Sequence, residues 1–273
     1  MKVQRLRLFI ACFLGFCLAS PAMSHAQEQT PRFEQAACPV DVPAGPPIDC
    51  GYLVVSENYD APEGNTIRLP VIIIHSRSAN PAPDPILFTE GGPGYSSLGS
   101  VWWLAESEFV NNRDVVILEQ RGNVYAQPNL VCDLTTAWGE AAGKPCLDSF
   151  KSQEIDLSRY TTAVIVSDIH ALRQVLDYDT WNLYGSSYST RLMQLTMHLH
   201  PEGIRSVILQ SVSSLTETRY EHDPEHAMRA LQQMLDDCAA DPACAAAYPG
   251  LETQLDTAVH NLNAAPVFFE LTN

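Results

Sequence analysis

Five residues, Gly185-Ser186-Ser187-Tyr188-Ser189, constrain this chain more than any other stretch. They follow a short apolar run, Thr180 to Tyr184, and open a helical pattern from Tyr188 to His200 that Pro201 stops. A strand that reverses into a helix over so few residues makes a sharp turn, and its central residue is forced into strained backbone geometry. Small residues must then stand two places before and two places after the centre, or side chains collide with the strand and the helix. Gly185 and Ser189 meet that demand, with Ser189 in the place that glycine usually holds. Such a turn projects Ser187 from the carboxyl end of the strand, beside helix N–H groups and their positive potential. Ser187 is therefore the candidate nucleophile.

The surrounding pattern predicts the scaffold. Strand candidates are Gly51–Val55, Thr66–His75, Pro85–Thr89, Asp114–Glu119, Thr180–Tyr184 and Arg205–Leu209. Helix candidates fall around Leu98–Val110 and Thr162–Leu176, the second with Ile165, Ile169, Leu172 and Leu176 at helical spacing. This alternation predicts an α/β fold, a mostly parallel sheet covered by helices on both faces. Residues 27–50 are Pro- and Gln-rich and read as irregular, and 122–150 read as a long excursion. From 215 the chain turns to Ala, Glu, Asp, Gln and Leu with no strand candidate, and helices are expected over Glu225–Ala239 and Leu251–Leu262. The expected division is a core over 51–214 and an incomplete helical lid over 215–273.

A second loop supports the first. Gly91-Gly92-Pro93-Gly94 follows the strand candidate Pro85–Thr89 directly, after Glu90. Acyl transfer needs donors aimed at the oxyanion that develops on the attacked carbonyl, and N–H groups of a glycine loop can supply them. Lack of a Cβ allows close approach to substrate, and Pro93 stiffens the loop.

With these residues in view, the chain resembles the proline-iminopeptidase branch of the α/β-hydrolase fold. The closer likeness is to its secreted tripeptidyl-aminopeptidase-like members. The motifs are GGPG after one strand, Glu119-Gln120-Arg121-Gly122 after the next, and the GSSYS turn. The resemblance implies a serine hydrolase acting on peptides from the amino end, or on related esters and amides. An esterase or lipase of the same fold, and a non-catalytic truncated homologue, are the alternatives. By position, it implies Ser187 as nucleophile, the N–H groups of Tyr188 and Gly92 as oxyanion hole, and Glu119 and Arg121 as support for the active-site face. No cofactor is implied. Two positions depart from the family pattern: Glu90 stands where a His often precedes GGPG, and Asn123-Val124-Tyr125-Ala126 replaces a glycine-serine sequence.

The beginning of the chain has the form of an export signal. Lys2, Arg5 and Arg7 precede an apolar run from Leu8 to Ala19, too short to span a bilayer, and Ser24-His25-Ala26 offers small residues for cleavage. Residues 1–26 are thus expected to be removed, releasing the rest to the periplasm or the exterior without a membrane anchor. Six cysteines then remain, in three local pairs: Cys38/Cys50, Cys132/Cys146 and Cys238/Cys244. In an oxidising compartment, three disulfides are expected, each stabilising by roughly 2–3 kcal/mol in the chain-entropy picture. There is no CxxC, and no histidine at zinc-ligand spacing from these cysteines, so no metal site is expected. The formal net charge of −16 disfavours nucleic acid and anionic lipid as partners and leaves a small peptide or ester.

A serine nucleophile needs a histidine base and an acid that orients it, and in this fold the order is serine, acid, histidine. After Ser187 the histidines are His198, His200, His222, His226 and His260, none of which follows a strand candidate. They read as helix or solvated lid positions. Six expected strands against eight for the fold make the sequence read as an N-terminal portion, inactive alone, with the C-terminal strands, acid and base missing.

Overall fold

A computed structural model of the chain describes residues 30–132, 140–216 and 219–268. The expected export signal over 1–26 lies outside them. Seven strands form one sheet: β1 (Arg32–Gln35), β2 (Ile48–Ser56), β3 (Thr66–Ile74), β4 (Ile86–Thr89), β5 (Val115–Leu118), β6 (Trp181–Ser186) and β7 (Ile204–Gln210). Their spatial order is β1-β2-β3-β5-β4-β6-β7. The pairs β1-β2, β2-β3 and β3-β5 are antiparallel, whereas β5-β4, β4-β6 and β6-β7 are parallel. The parallel half carries the turns of interest, because all its strands release their loops at one edge.

All six strand expectations are met, and β1 is added from the segment read as irregular. Phe33 explains it. The ring lies against Gly51 of β2, where an added Cβ would come within 2.4 Å of it. The residue that pairs β1 to the sheet is visible only once β2 is in place.

Period-two alternation along the strands builds two cores. On one face Leu53, Val55, Leu69, Val71, Val116, Leu118 and Leu183 pack with helices α3 (Thr162–Val175) and α4 (Ser189–Leu199), through Ile165, Ile169, Leu172, Leu192 and Met193. On the other, Ile72, Ile74, Phe88, Val115 and Ile117 pack with the short helix α1 (Val101–Glu106), through Val101 and Leu104. The central strands are buried on both faces and accordingly read as continuous Val/Ile/Leu runs. Thr161 caps α3, its side chain accepting from Val164 N.

The long excursion expected over 122–150 contains a helix, α2 (Glu140–Ser152), which runs two residues past it. Its Gly143 and Pro145 weaken the helical signal, and the disulfide Cys132–Cys146 ties the helix to the preceding loop. The disulfides Cys38–Cys50 and Cys238–Cys244 are formed as well. After β7 come α5 (Arg219–Ala240), α6 (Pro242–Ala247) and α7 (Leu251–Ala264). The expected helix from Glu225 thus begins earlier, at Arg219. No helix among the described residues is long and apolar enough to cross a membrane.

Candidate active site

The turn from β6 into α4 has the strain that its sequence demands. Ser187 is the central residue, at φ +56°, in the left-handed region that disfavours side chains. Its N–H donates to Gln210 O on β7 at 2.9 Å, and its C=O accepts from Thr190 N at 3.0 Å and Thr190 Oγ1 at 2.6 Å. The side chain itself is exposed. Gly185 is required by space: an added Cβ would lie 2.8 Å from both Ser189 O and Met193 Cγ. Ser189 does more than stay small. Its Oγ accepts from Ser186 N at 2.7 Å and donates to Ser186 O at 2.9 Å, closing the turn with two bonds that glycine could not make. Tyr188 caps α4, so its N–H lies among those with no intrahelical acceptor. Its hydroxyl shares a 2.9 Å hydrogen bond with Thr162 Oγ1, docking the turn on α3.

The GGPG loop reaches Ser187 directly. An added Cβ on Gly91 would sit 2.8 Å from Ser186 O, 2.9 Å from Ser187 Cβ and 3.4 Å from Ser187 Oγ. Only glycine lets the two loops touch. Gly91 N–H is committed to Glu90 Oε1 at 3.0 Å, and Glu90 Oε2 accepts from Ser100 Oγ at 3.1 Å. Glu90 is thus a staple for the loop. Gly92 follows at φ +111°, and Pro93 and Gly94 are exposed.

The Glu119-Gln120-Arg121 turn after β5 supports this face, with three separate jobs. Glu119 is fully buried and accepts from Ser96 Oγ at 2.9 Å and Ser97 N at 2.8 Å, fixing the far end of the glycine loop. Burial pushes its carboxyl above the usual range, against the pull of these donors. Gln120 Nε2 donates to Thr89 Oγ1 at 2.9 Å and Glu90 O at 2.7 Å, fixing the near end. Arg121 points away from both. It grips Asp168 of α3 through Nε–Oδ2 at 2.7 Å and Nη2–Oδ1 at 2.6 Å, and Nη1 donates to Glu57 O and Arg159 O. Tyr59 OH completes the cluster by donating to Asp168 Oδ1 at 2.9 Å. Burial raises the Asp168 carboxyl while Arg121 and Tyr59 pull it down. The bidentate fork is ion-pair geometry.

The sequence shows Gln120 only as a member of the Glu119-Gln120-Arg121-Gly122 motif, with no role of its own, and gives no motif for Asp168. Asp168 left a trace, since it is a charge three residues after Ile165 on the inward face of α3.

A cleft opens beside Ser187, lined by Ser211, Val212, Ser213 and Ser214 after β7, and by Asp223 and His226 of α5. His226, a solvated lid position by its sequence context, and Asp223 are both exposed and also face this cleft. His198 and His200 lie at the other end of α4, as expected. Among the described residues, the segments that directly follow β4, β5, β6 and β7 contain no histidine.

Several known proteins are similar to this chain. A proline iminopeptidase of Neisseria meningitidis serogroup A is 25% identical, aligning with 61% of this chain and 41% of its own length. A serine protease, Hip1, of Mycobacterium bovis is 24% identical, covering 83% of this chain and 48% of its own. The chain thus spans less than half the length of these curated relatives. Among solved structures, an alpha/beta hydrolase from Novosphingobium aromaticivorans matches at 16% identity and TM-score 0.40, over 60% of this chain and 44% of that one. A probable hydrolytic enzyme from Pseudomonas aeruginosa matches at 12% identity and TM-score 0.42, over 62% and 42%. The family model of the alpha/beta hydrolase fold matches residues 84–263, from the strand before the glycine loop through the helices after β7, and the chain belongs to that family.

Proposed function

We propose that this chain carries the nucleophile and oxyanion hole of an exported serine peptidase that acts at the amino end of peptides. The observation that carries the reading is the contact between two loops: Ser187, strained at φ +56°, with Gly91 packed against its Cβ. Strain at that one residue, at the carboxyl edge of a parallel sheet, is how this fold presents a nucleophile.

In the proposed reaction, Ser187 Oγ attacks the scissile carbonyl while a base takes its proton. The carbonyl oxygen becomes an oxyanion, held by N–H groups of Tyr188 and Gly92. Collapse of the tetrahedral intermediate breaks the C–N bond, and the protonated amine leaves. Water then hydrolyses the acyl-serine by the same steps in reverse order. Glu90, Glu119 and Gln120 hold the glycine loop at both ends, so its donors need no rearrangement when charge develops. The base and its acid belong, by the order of the fold, to loops after strands later than β7. The helices after β7 act as a lid that walls the cleft. The three disulfides and the signal-like start support an exported protein.

Hydrolysis of anilides of short peptides, with the amino terminus free or acetylated, by a polypeptide that joins this chain to the base and acid, tests the reading. A requirement for the free amine supports it. Equal rates on both, or activity confined to simple esters, replaces it with the esterase reading. Ser187→Ala must abolish either activity.

A further inference from the structure

We propose that His170, His200 and Glu202 form a binding site for one divalent transition-metal ion of the zinc class, at the opposite end of the sheet from Ser187. Three elements bring them together: His170 lies in α3, His200 ends α4, and Glu202 sits in the single turn Pro201–Gly203 that leads into β7. The imidazole rings stack at 3.9 Å between centroids and 18° between planes. Each Nδ1 stands 3.9 Å from the same carboxylate oxygen, Glu202 Oε1. One nitrogen or oxygen atom from each residue falls within 4.8 Å of the other two.

These atoms are close together but unbonded to one another, since 3.9 Å is too long for a hydrogen bond. His170 Nδ1 is the sharper observation. It is buried and has no hydrogen-bond partner, alone in this among the described side chains. A buried polar atom without a partner is costly, and its occurrence needs a reason. A metal ion supplies one, because a ring nitrogen facing it gives its lone pair to the metal.

The donor set selects the class of ion. Two imidazoles and one carboxylate suit zinc, copper(II) or nickel(II), whereas calcium and magnesium prefer all-oxygen sites. Burial, then His200 and Arg173, push the His170 imidazole below its ordinary pKa, the direction that eases loss of the proton a ligand must lose. Bond lengths of about 2.0–2.1 Å put tetrahedral zinc ligands roughly 3.3 Å apart, so each 3.9 Å Nδ1–Oε1 distance must shorten by about 0.6 Å and the stacked rings must splay. The Glu202 side chain, 60% exposed on its turn, and the terminal position of His200 allow this. Three protein ligands leave a fourth position for water.

The sequence hides this site. Its residues lie 30 and 2 positions apart, on three elements, with no spacing motif. The six-residue strand β6, parallel to β7, separates it from the Ser187 turn by about 20 Å. The bound ion would therefore clip α3 to the α4–β7 junction and take no part in chemistry at Ser187. The proposal stands independently of the function assigned to that serine.

The test is calorimetric titration of the chelator-treated, disulfide-bonded protein with zinc chloride, repeated with cobalt(II) chloride to read the visible absorption of the bound ion. One equivalent of zinc is expected, with a low-coordinate cobalt spectrum and a rise in Tm. His200→Gln and Glu202→Gln, both at partly exposed positions, should each weaken binding at least about tenfold while circular dichroism is unchanged. His222→Gln/His226→Gln, which removes the other neighbouring pair of imidazoles, should leave it unchanged. Absence of stoichiometric binding overturns the proposal. So does binding that survives the double variant His200→Gln/Glu202→Gln, or that disappears with His222 and His226.

Discussion

Replacing Arg121 by Met removes the cation from a cluster with no access to water. The Arg121 and Asp168 side chains are 0% and 1% exposed. The guanidinium makes two bonds to Asp168 and one each to Glu57 O and Arg159 O. Met fills most of the volume but leaves a buried carboxylate with only Tyr59 OH as donor. Removing one partner of a buried pair costs about 3–5 kcal/mol, a large part of the roughly 5–15 kcal/mol by which domains are stable. With a urea dependence of about 3 kcal/mol per molar, the unfolding midpoint should fall by at least ~1 M. The loss should also depend on pH. Burial already raises the Asp168 carboxyl, and Arg121 opposes it. Without Arg121 the folded-state pKa lies above the unfolded one. That group then stabilises below the unfolded pKa, and the contribution is lost as pH rises through the folded value. The deficit of Arg121→Met should therefore be smallest near pH 4–5 and widen toward neutrality. Arg121→Met/Asp168→Leu, which removes both charges, should recover most of the loss. A deficit below about 0.5 kcal/mol, or one that is flat with pH, would refute the reading of this cluster as a desolvated ion pair.

Other expected outcomes follow from individual contacts. Ser189→Ala deletes both bonds that close the turn and should cost about 1–3 kcal/mol in urea unfolding, with reduced reactivity of Ser187; unchanged stability would show the bonds to be dispensable. Gly91→Ala forces a methyl group into Ser187 and, in a polypeptide that also carries the base and acid, should slow fluorophosphonate labelling by up to ~100-fold with the fold retained; an unchanged rate would mean that the loops do not touch. His75 bridges Asp49 at 2.9 Å and Asp114 at 3.0 Å, and these bonds outweigh a burial that by itself lowers its pKa, leaving it raised. Its contribution is full below the unfolded pKa and is lost as pH rises through the folded one, so Tm should fall over that interval in the parent and not in His75→Gln.

The parts of this fold that could be read in advance are those dictated locally. The β6–α4 turn needs small residues at 185 and 189 whatever surrounds it, and continuous runs such as Val115–Leu118 announce strands buried on both faces. The parts that could not be read depend on distant partners. The strand over Arg32–Gln35 exists because Phe33 finds Gly51, and the helix over Glu140–Ser152 contains a glycine and a proline that argue against it. Glu119 and Arg121 were recognisable as support, but their division of labour was not. One holds the glycine loop through Ser96 and Ser97, and the other holds α3 through Asp168. His226 is similar: its helical position suggested solvent, and only the path of the chain after β7 brings it to the cleft of Ser187.

The central claim is that Ser187 is the nucleophile. Its most direct test is the intact mass and peptide map, after reaction with a fluorophosphonate, of a polypeptide that joins this chain to the base and acid. The account predicts a single adduct on Ser187, absent in Ser187→Ala. No adduct, or one on Ser211, Ser213 or Ser214 of the same cleft, would contradict it.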